Sequence, residues 1–412
     1  MTAKDGDSTA AVRRQYEDYP YPPRDPAAEA KGLRLGSPSH LWELNHYLFA
    51  GRRDFTRPFQ VLVAGGGTGD GLIMLAQQLA DAGTPAEILY LDLSDASREI
   101  AEARARARRL SSIRFLRGDL RAAAEHGPFD YIDCCGVLHH LDDPAEGFAA
   151  LRGALADNGG MGVMVYGAAG RTGVYHIQAL LKQIVADLPN PARVAMAKRL
   201  LGDLPPTNWL ARNPFVEDHK TLSDAGIYDL LLHSTDRAYD ILELGALVEA
   251  ADLRIAALIE PARYEPDTYL HDETLRAAVA GLGWLQRCHF AELLAGNITK
   301  HIAYLVHGAN TADTVARPDD PTAIPVMRDA PGAAIARAIG SGGRITVDAG
   351  GMKIDAALPP LAAAMLMQID GKRTLNQIRA ALDPAPDAEA FGKQFAALYR
   401  VLNGFNQMYL RF

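Results

Sequence analysis

Cysteine is nearly missing from this chain: Cys134, Cys135 and Cys288 are the three among 412 residues. Two of them are neighbours, so neither a disulfide framework nor a cysteine-based metal-ligand spacing can be drawn, no metal is expected, and a reducing compartment suits the chain. Long apolar runs are missing too. No stretch approaches the roughly 18 apolar residues of a membrane-spanning helix, and residues 1–11 are polar, without the apolar segment of a secretory signal. A cytoplasmic protein without membrane attachment is the expectation. Positive charge is not in excess either: 42 Lys and Arg stand against 50 Asp and Glu, a formal net charge of −8. That balance offers phosphate backbones no global attraction, which disfavours a nucleic-acid partner and leaves a small molecule or a protein.

What is present starts with residues 60–71, a short apolar run that breaks into glycines and then into an amphipathic pattern. Val61, Leu62, Val63 and Ala64 are apolar without alternation, the pattern of a buried parallel strand, and Leu72, Leu75, Ala76 and Leu79 share one face of a following helix. Gly65, Gly66, Gly67 and Gly69 make the turn between them. A backbone without Cβ atoms approaches a ligand closely, and the free amides of a helix start attract its polar or anionic end. A second apolar strand over residues 88–91 ends in Asp92, close to the spacing of about 20 residues at which a ribose-binding carboxylate is expected. The spacing suggests an adenosine-type ligand and does not separate a dinucleotide from S-adenosylmethionine.

Four motifs in order carry a resemblance that makes this separation. Val61-Leu-Val-Ala-Gly-Gly-Gly-Thr-Gly69, Leu91-Asp-Leu-Ser94, Arg117-Gly-Asp-Leu120 and Phe129-Asp-Tyr-Ile-Asp-Cys-Cys-Gly-Val-Leu-His-His-Leu141 resemble the successive motifs of class I S-adenosylmethionine-dependent methyltransferases. The resemblance implies an α/β fold with a Rossmann-like seven-stranded sheet, the last strand antiparallel. It also implies S-adenosylmethionine as cofactor, with Gly65, Gly66, Gly67 and Gly69 along its methionine part, Asp92 on the ribose hydroxyls and Asp119 on the adenine amino group. Leu93, Leu120 and Cys135 belong to the same implied cofactor set. An acidic residue often ends the first strand in this family, whereas this chain has Ala64 there. That Ala-Gly form, with a Tyr-Pro-rich N-terminal segment, resembles a bacterial subgroup of the family.

The Tyr-Pro segment is residues 12–25, where Tyr16, Tyr19 and Tyr21 interleave with Pro20, Pro22 and Pro23. The prolines predict an extended strap rather than a helix, and the tyrosines supply apolar bodies with polar tips. The resemblance lays such a segment over the cofactor pocket, so Tyr16 and Tyr21 are candidate cofactor contacts; a strap that merely packs is the alternative. Residues 39–50 read as a helix. Asp95 is the expected cap of another, whose Arg104, Arg106, Arg108 and Arg109 read as a solvated helix end rather than a nucleic-acid surface. The fourth strand, residues 129–137, leads directly into His139 and His140. A histidine at a strand end can take a proton from an acceptor amine or hydroxyl, and can equally serve to shape the pocket. Cys134 and Cys135 read as small buried apolar groups. No Asn-Pro-Pro-aromatic segment follows, which argues against the base and glutamine acceptors of methyltransferases that carry one.

Pro144 opens a helix, the Asn158-Gly159-Gly160 run punctuates its end, and residues 161–166 form a fifth strand ending in Tyr166, the third catalytic candidate beside His139 and His140. Residues 167–239 then read as an inserted helical segment walling the acceptor pocket, with Tyr175, His176, Arg171, His233, Asp236 and Arg237 as polar candidates. A helix over 241–251, a strand over 254–259, a helical stretch over 273–295 and a strand over 301–306 complete the sheet. The expected domains are an N-terminal lid and helix (1–58), a cofactor-binding core (59–166), the insertion (167–239), the end of the core (240–308), a linker (309–330) and a separate small α/β module (331–412). In that module, residues 345–355 suggest a hairpin, three helices follow, and residues 369–378 weakly resemble a winged-helix element. Docking, dimerisation and substrate recognition weigh equally for it. The functional expectation is methyl transfer to a small molecule, with a protein side chain such as lysine second. A non-catalytic regulator and a nicotinamide oxidoreductase stand behind these, the latter lacking a second glycine fingerprint.

Overall fold

Strands that are apolar throughout bury both faces, and Val61, Leu62, Val63 and Ala64 are each 2% exposed or less. The computed structural model describes residues 3–221, 223–340 and 342–412, so the first two residues of the polar N-terminus lie outside it. One sheet contains β1 (Phe59–Ala64), β2 (Ala86–Asp92), β3 (Ile113–Arg117), β4 (Phe129–Cys135), β5 (Leu155–Tyr166), β6 (Leu253–Leu258) and β7 (Lys300–His307). Its order is β3-β2-β1-β4-β5-β7-β6, with β7 antiparallel to both neighbours and the other pairs parallel. The expected seven-stranded Rossmann-like sheet is therefore the fold. The strand order reverses between β1 and β4, which opens a crevice at their carboxyl ends.

Helices cover both faces: α1 (Ala3–Asp18), α2 (Leu41–Leu48), α3 (Asp70–Asp81), α4 (Asp95–Ala107), α5 (Pro144–Ala154), and in the insertion α6 (Val174–Val185) and α7 (Asn190–Gly202). On one face Leu62, Ala64, Ile132 and Cys134 pack with Phe148 and Leu151 of α5. On the other, Val61, Val63, Tyr90 and Tyr131 pack with Leu41 and Leu44 of α2 and Leu72 and Leu75 of α3. The insertion has its own apolar cluster around Ile177, Leu181, Val194 and Leu231.

Several expectations are corrected. Residues 12–18 are helical, because the prolines bar a helix only from their own positions and the residue before them; α1 stops at Asp18 and the extended strap is residues 19–25. Helix α4 is capped by the Ser94 hydroxyl, with Asp95 one position inside. Its Arg104 is no solvated end: it is 1% exposed, with ion pairs to Glu29 at 2.5 Å and Asp70 at 2.8 Å. Strand β5 begins at Leu155, directly after α5, so Asn158-Gly159-Gly160 lies inside it where the register with β4 shifts. The 273–295 stretch is two helices, Glu273–Ala280 and Trp284–Ala295.

The C-terminal part follows the expected pattern locally and departs from it globally. Its strands are β8 (Ile324–Met327), β9 (Arg344–Asp348), β10 (Lys353–Ala357) and β11 (Met408–Arg411), with helices Ala362–Gln368, Leu375–Ala380 and Ala388–Gly404 at the expected places. The β9–β10 hairpin forms as read. However, β8 lies inside the expected linker and pairs with β11, and Tyr409 of β11 belongs to the α2 and α3 face of the main core. The module is thus not separate. Its anchor is the fully buried Glu43 of α2, whose Oε1 accepts from Tyr304 Oη at 2.8 Å. Its Oε2 accepts from Tyr409 Oη and Asn406 Nδ2, each at 2.8 Å, and from Ser37 Oγ at 2.6 Å. His46 extends the seam: its Nδ1 accepts from the Leu410 amide at 3.0 Å, and burial holds its ring neutral with a pKa lowered to about 3.

Glu43→Ala leaves four donors without their acceptor, so we expect a loss of about 3 kcal/mol or more in urea unfolding. A loss below about 1 kcal/mol would show that the C-terminal strand docks without this carboxylate.

Candidate functional site

The glycine turn and three strand ends meet at one edge. Gly65 and Gly67 take φ of 68° and 51°, and a Cβ on Gly65 would stand 2.4 Å from the Val137 side chain. Beside them Asp92, at the end of β2, accepts from the Gly67 amide through Oδ2 and from the Ser94 amide through Oδ1, both at 2.8 Å. Burial pushes its pKa up, and those amides oppose the rise. Asp119 follows β3 and is bonded by the Arg121 guanidinium at 2.6 Å. Burial pushes Asp119 up, but this ion pair outweighs it and holds the carboxyl below its usual range. Leu93 follows Asp92, and Cys135 ends β4, half-buried. Leu120 is turned into the main core beside Phe148 and Leu151.

The strap crosses this edge. Thr68 Oγ1 donates to Pro22 O at 2.7 Å, and a Cβ on Gly67 would stand 3.0 Å from Tyr21 O. Arg24 bonds Asp70 at the start of α3, and Asp70 and Glu29 both bind Arg104, so the arginine read as a helix end ties the strap down. Helix α1 is fastened at the start of α4 by Glu17, whose carboxylate accepts from the Asp95 and Ala96 amides at 2.7 and 3.1 Å. The strap thus lies over the glycine turn.

Beyond β4 and β5 lies a second, buried polar group. Asp229 of the insertion accepts from Tyr16 Oη of α1 and from Tyr166 Oη of β5, both at 3.1 Å. Burial pushes the Asp229 carboxyl up to about 7. His139 stacks on Tyr166 with ring centroids 4.0 Å apart, and His140 stacks on His233 at 3.8 Å. Burial drives all three imidazoles toward the neutral form. The Arg171 guanidinium lies 3.5 Å from the centre of the Tyr166 ring and 3.6 Å from Asp236, which also accepts from Gln178 Nε2 at 2.9 Å. Both nitrogens of His139, Nδ1 of His140, Oδ1 of Asp236 and Nη2 of Arg171 have no hydrogen-bond partner among the described residues. Buried polar atoms are ordinarily satisfied, and water or a ligand can complete the hydrogen bonds of this set.

The structure thus brings together His139, His140, Tyr166, Tyr16, Arg171, His233 and Asp236, drawn from five stretches of chain. It leaves out His176, which is exposed, and Arg237, which pairs with Glu243 at 2.6 Å. Sequence reasoning missed Asp229 and Gln178. The run Asp229-Leu-Leu-Leu-His233 was the available signal: a carboxylate opening an apolar run four residues before a histidine. It also missed that donor atoms of His139, His140 and Asp236 come within 4.8 Å of one another. Arg171 already supplies a cation at Asp236, 3.6 Å away.

Residues 62–161 match a family model described as a methyltransferase domain. An uncharacterized protein from Synechococcus sp. is 30% identical over 304 residues, covering 71% of this chain and 70% of that protein. PKMT2 from Rickettsia typhi superposes with a TM-score of 0.61 at 13% identity, over 90% of this chain and 75% of that one. Its complex with AdoHcy gives the same TM-score at 14% identity and the same coverage. At these identities the likeness is one of fold.

Asp229 binds its proton more tightly folded than unfolded, so it weakens folding progressively as pH rises from about 4 to about 7 and by a constant amount above. Asp229→Asn should remove that loss, gaining about 2 kcal/mol over the parent between pH 4 and 7.5 in urea titrations. A difference that does not vary with pH would show that this carboxyl is unshifted.

Proposed function

Because the chain belongs to the class I S-adenosylmethionine-dependent methyltransferases, we propose that it methylates a polar group of a small molecule held between β5 and the insertion. The observation that supports this most is the set of unpartnered buried atoms on His139, His140, Arg171 and Asp236 beside the strand ends. The residues at the glycine turn suit the methyl donor: the amides of a tight turn, a neighbouring carboxylate at Asp92, and a strap that closes over them. When bound, S-adenosylmethionine supplies a methyl group already activated by its positive sulfur. The work left to this chain is to align the acceptor, exclude water and accept a proton.

Each role falls to named atoms. His139 carries two free ring nitrogens and is neutral, so one can take the proton that the acceptor nitrogen or oxygen loses on methylation. Tyr166 fixes that ring by stacking, and its own hydroxyl is held by Asp229. Tyr16 closes the pocket from α1, and Tyr21 shields the glycine turn. A protein amine is the second reading. Two carboxylates, Asp229 and Asp236, face the single guanidinium of Arg171, and this excess of acid suits a cationic amine such as a lysine side chain.

Incubating the protein with methyl-labelled S-adenosylmethionine and a fractionated cell extract tests the reading. Label should appear in the small-molecule fraction; label confined to protein would replace the first reading by the second, and none in either would mark a binding protein without turnover. Tyr166→Phe should slow transfer about 10- to 100-fold while AdoHcy affinity stays within about twofold. Asp92→Ala should weaken AdoHcy binding by about 1 to 3 kcal/mol in calorimetry. Unchanged affinity would remove Asp92 from the ribose.

A further inference from the structure

A buried carboxylate under the glycine turn plays no part in the chemistry above. Asp133 of β4 is 3% exposed, and its Oδ2 has no hydrogen-bond partner among the described residues. It lies in register with Val63, the penultimate residue of β1, and on the same sheet face as Tyr131, Val61 and Val63. That face carries α3, whose Gly71 would bring a Cβ within 3.0 Å of Asp133 Oδ2. On its other side β5 presents Gly162 as the paired residue. Gly71 thus lets the start of α3 approach the carboxylate, where a side chain at that position would crowd it.

Among the described residues, no basic side chain supplies a countercharge to the Asp133 carboxyl. Burial pushes its pKa up to about 7, the Cys135 amide opposes this, and no basic side chain figures among the groups acting on it. A buried anion without a partner is costly unless something cationic arrives, and hydrogen-bonded charge pairs out of water are strong. Strand β1 ends in Val63 and Ala64, so it brings no acid of its own to the turn that follows. S-adenosylmethionine carries a free α-ammonium group at the amino-acid end of the molecule.

We propose that Asp133 binds the α-ammonium of the methyl donor, the countercharge being supplied from β4 rather than from β1. This inference rests on the reading of the glycine turn as the donor site. Asp133 is then a donor-binding residue that selects ligands bearing the intact amino acid over those that carry only the nucleoside and sulfur.

Calorimetry on the full chain with three ligands tests it: AdoHcy, its deaminated analogue 4-(adenosylthio)butanoate, and 5′-methylthioadenosine. Asp133→Asn keeps the side-chain shape and removes the charge. It should weaken AdoHcy binding roughly 10- to 100-fold and leave the other two ligands within about twofold of the parent. Equal losses for all three ligands would show a general effect on the pocket and overturn the proposal. Undiminished AdoHcy binding would overturn it as well. If the parent protein binds none of the three, the donor-site reading itself fails, an outcome distinguishable from a parent that binds all three and a variant that does not discriminate. Circular dichroism and thermal melting of Asp133→Asn establish that the variant is folded.

Discussion

Two tyrosine hydroxyls hold one buried carboxylate, and the candidate catalytic edge depends on that arrangement. Asp229 comes from the insertion, Tyr16 from the N-terminal helix and Tyr166 from the end of β5, so three segments far apart in sequence close on one charge. A carboxylate out of water needs donors, and the two phenols supply them. If Asp229 moved, both phenols would lose this acceptor, and if either tyrosine moved, one carboxylate oxygen would lose its donor. The contact therefore couples the covering helix to the sheet and the insertion at the place where His139 and His140 emerge.

Charge pairs play the same part at the glycine turn. Arg104 is enclosed by Glu29 and Asp70, and Asp70 also bonds Arg24, so the strap is fastened to α3 and α4 by a short chain of ions. Glu17 caps α4 from outside through two of its free amides. Both devices place the strap across the glycine turn, where an enclosed ligand would be shielded from water. A methyl transfer requires that shielding less for its barrier than for alignment, because the reacting atoms must be held in line.

The C-terminal segment shows how a polar seam can join parts that look independent. Its hairpin and helices form where local pattern places them, yet β11 completes the packing of α2 through Tyr409 and the buried Glu43. The four donors around Glu43 come from three stretches: Ser37, Tyr304, and the C-terminal pair Asn406 and Tyr409. No periodicity announces such a hub, since a lone glutamate on an amphipathic helix reads as a surface residue until its partners are in place.

The sequence by itself determined the strand–turn–helix at residues 60–79, the acidic end of β2, the order of motifs and hence the sheet, because apolar runs, glycines and their spacing are local properties. It also marked His139, His140 and Tyr166 as polar residues at strand ends, and Arg171, His233 and Asp236 as polar candidates on the insertion. Only the tertiary structure decided that these meet, that Asp229 joins them while His176 and Arg237 do not, and that Arg104 is buried rather than solvated. The same holds for Asp133, whose meaning lies in what surrounds it: one more residue in an apolar strand by pattern, an unpaired charge below the turn by packing. Burial, ion pairing and convergence depend on distances between segments that sequence separates, and the energy of a charge depends on its surroundings.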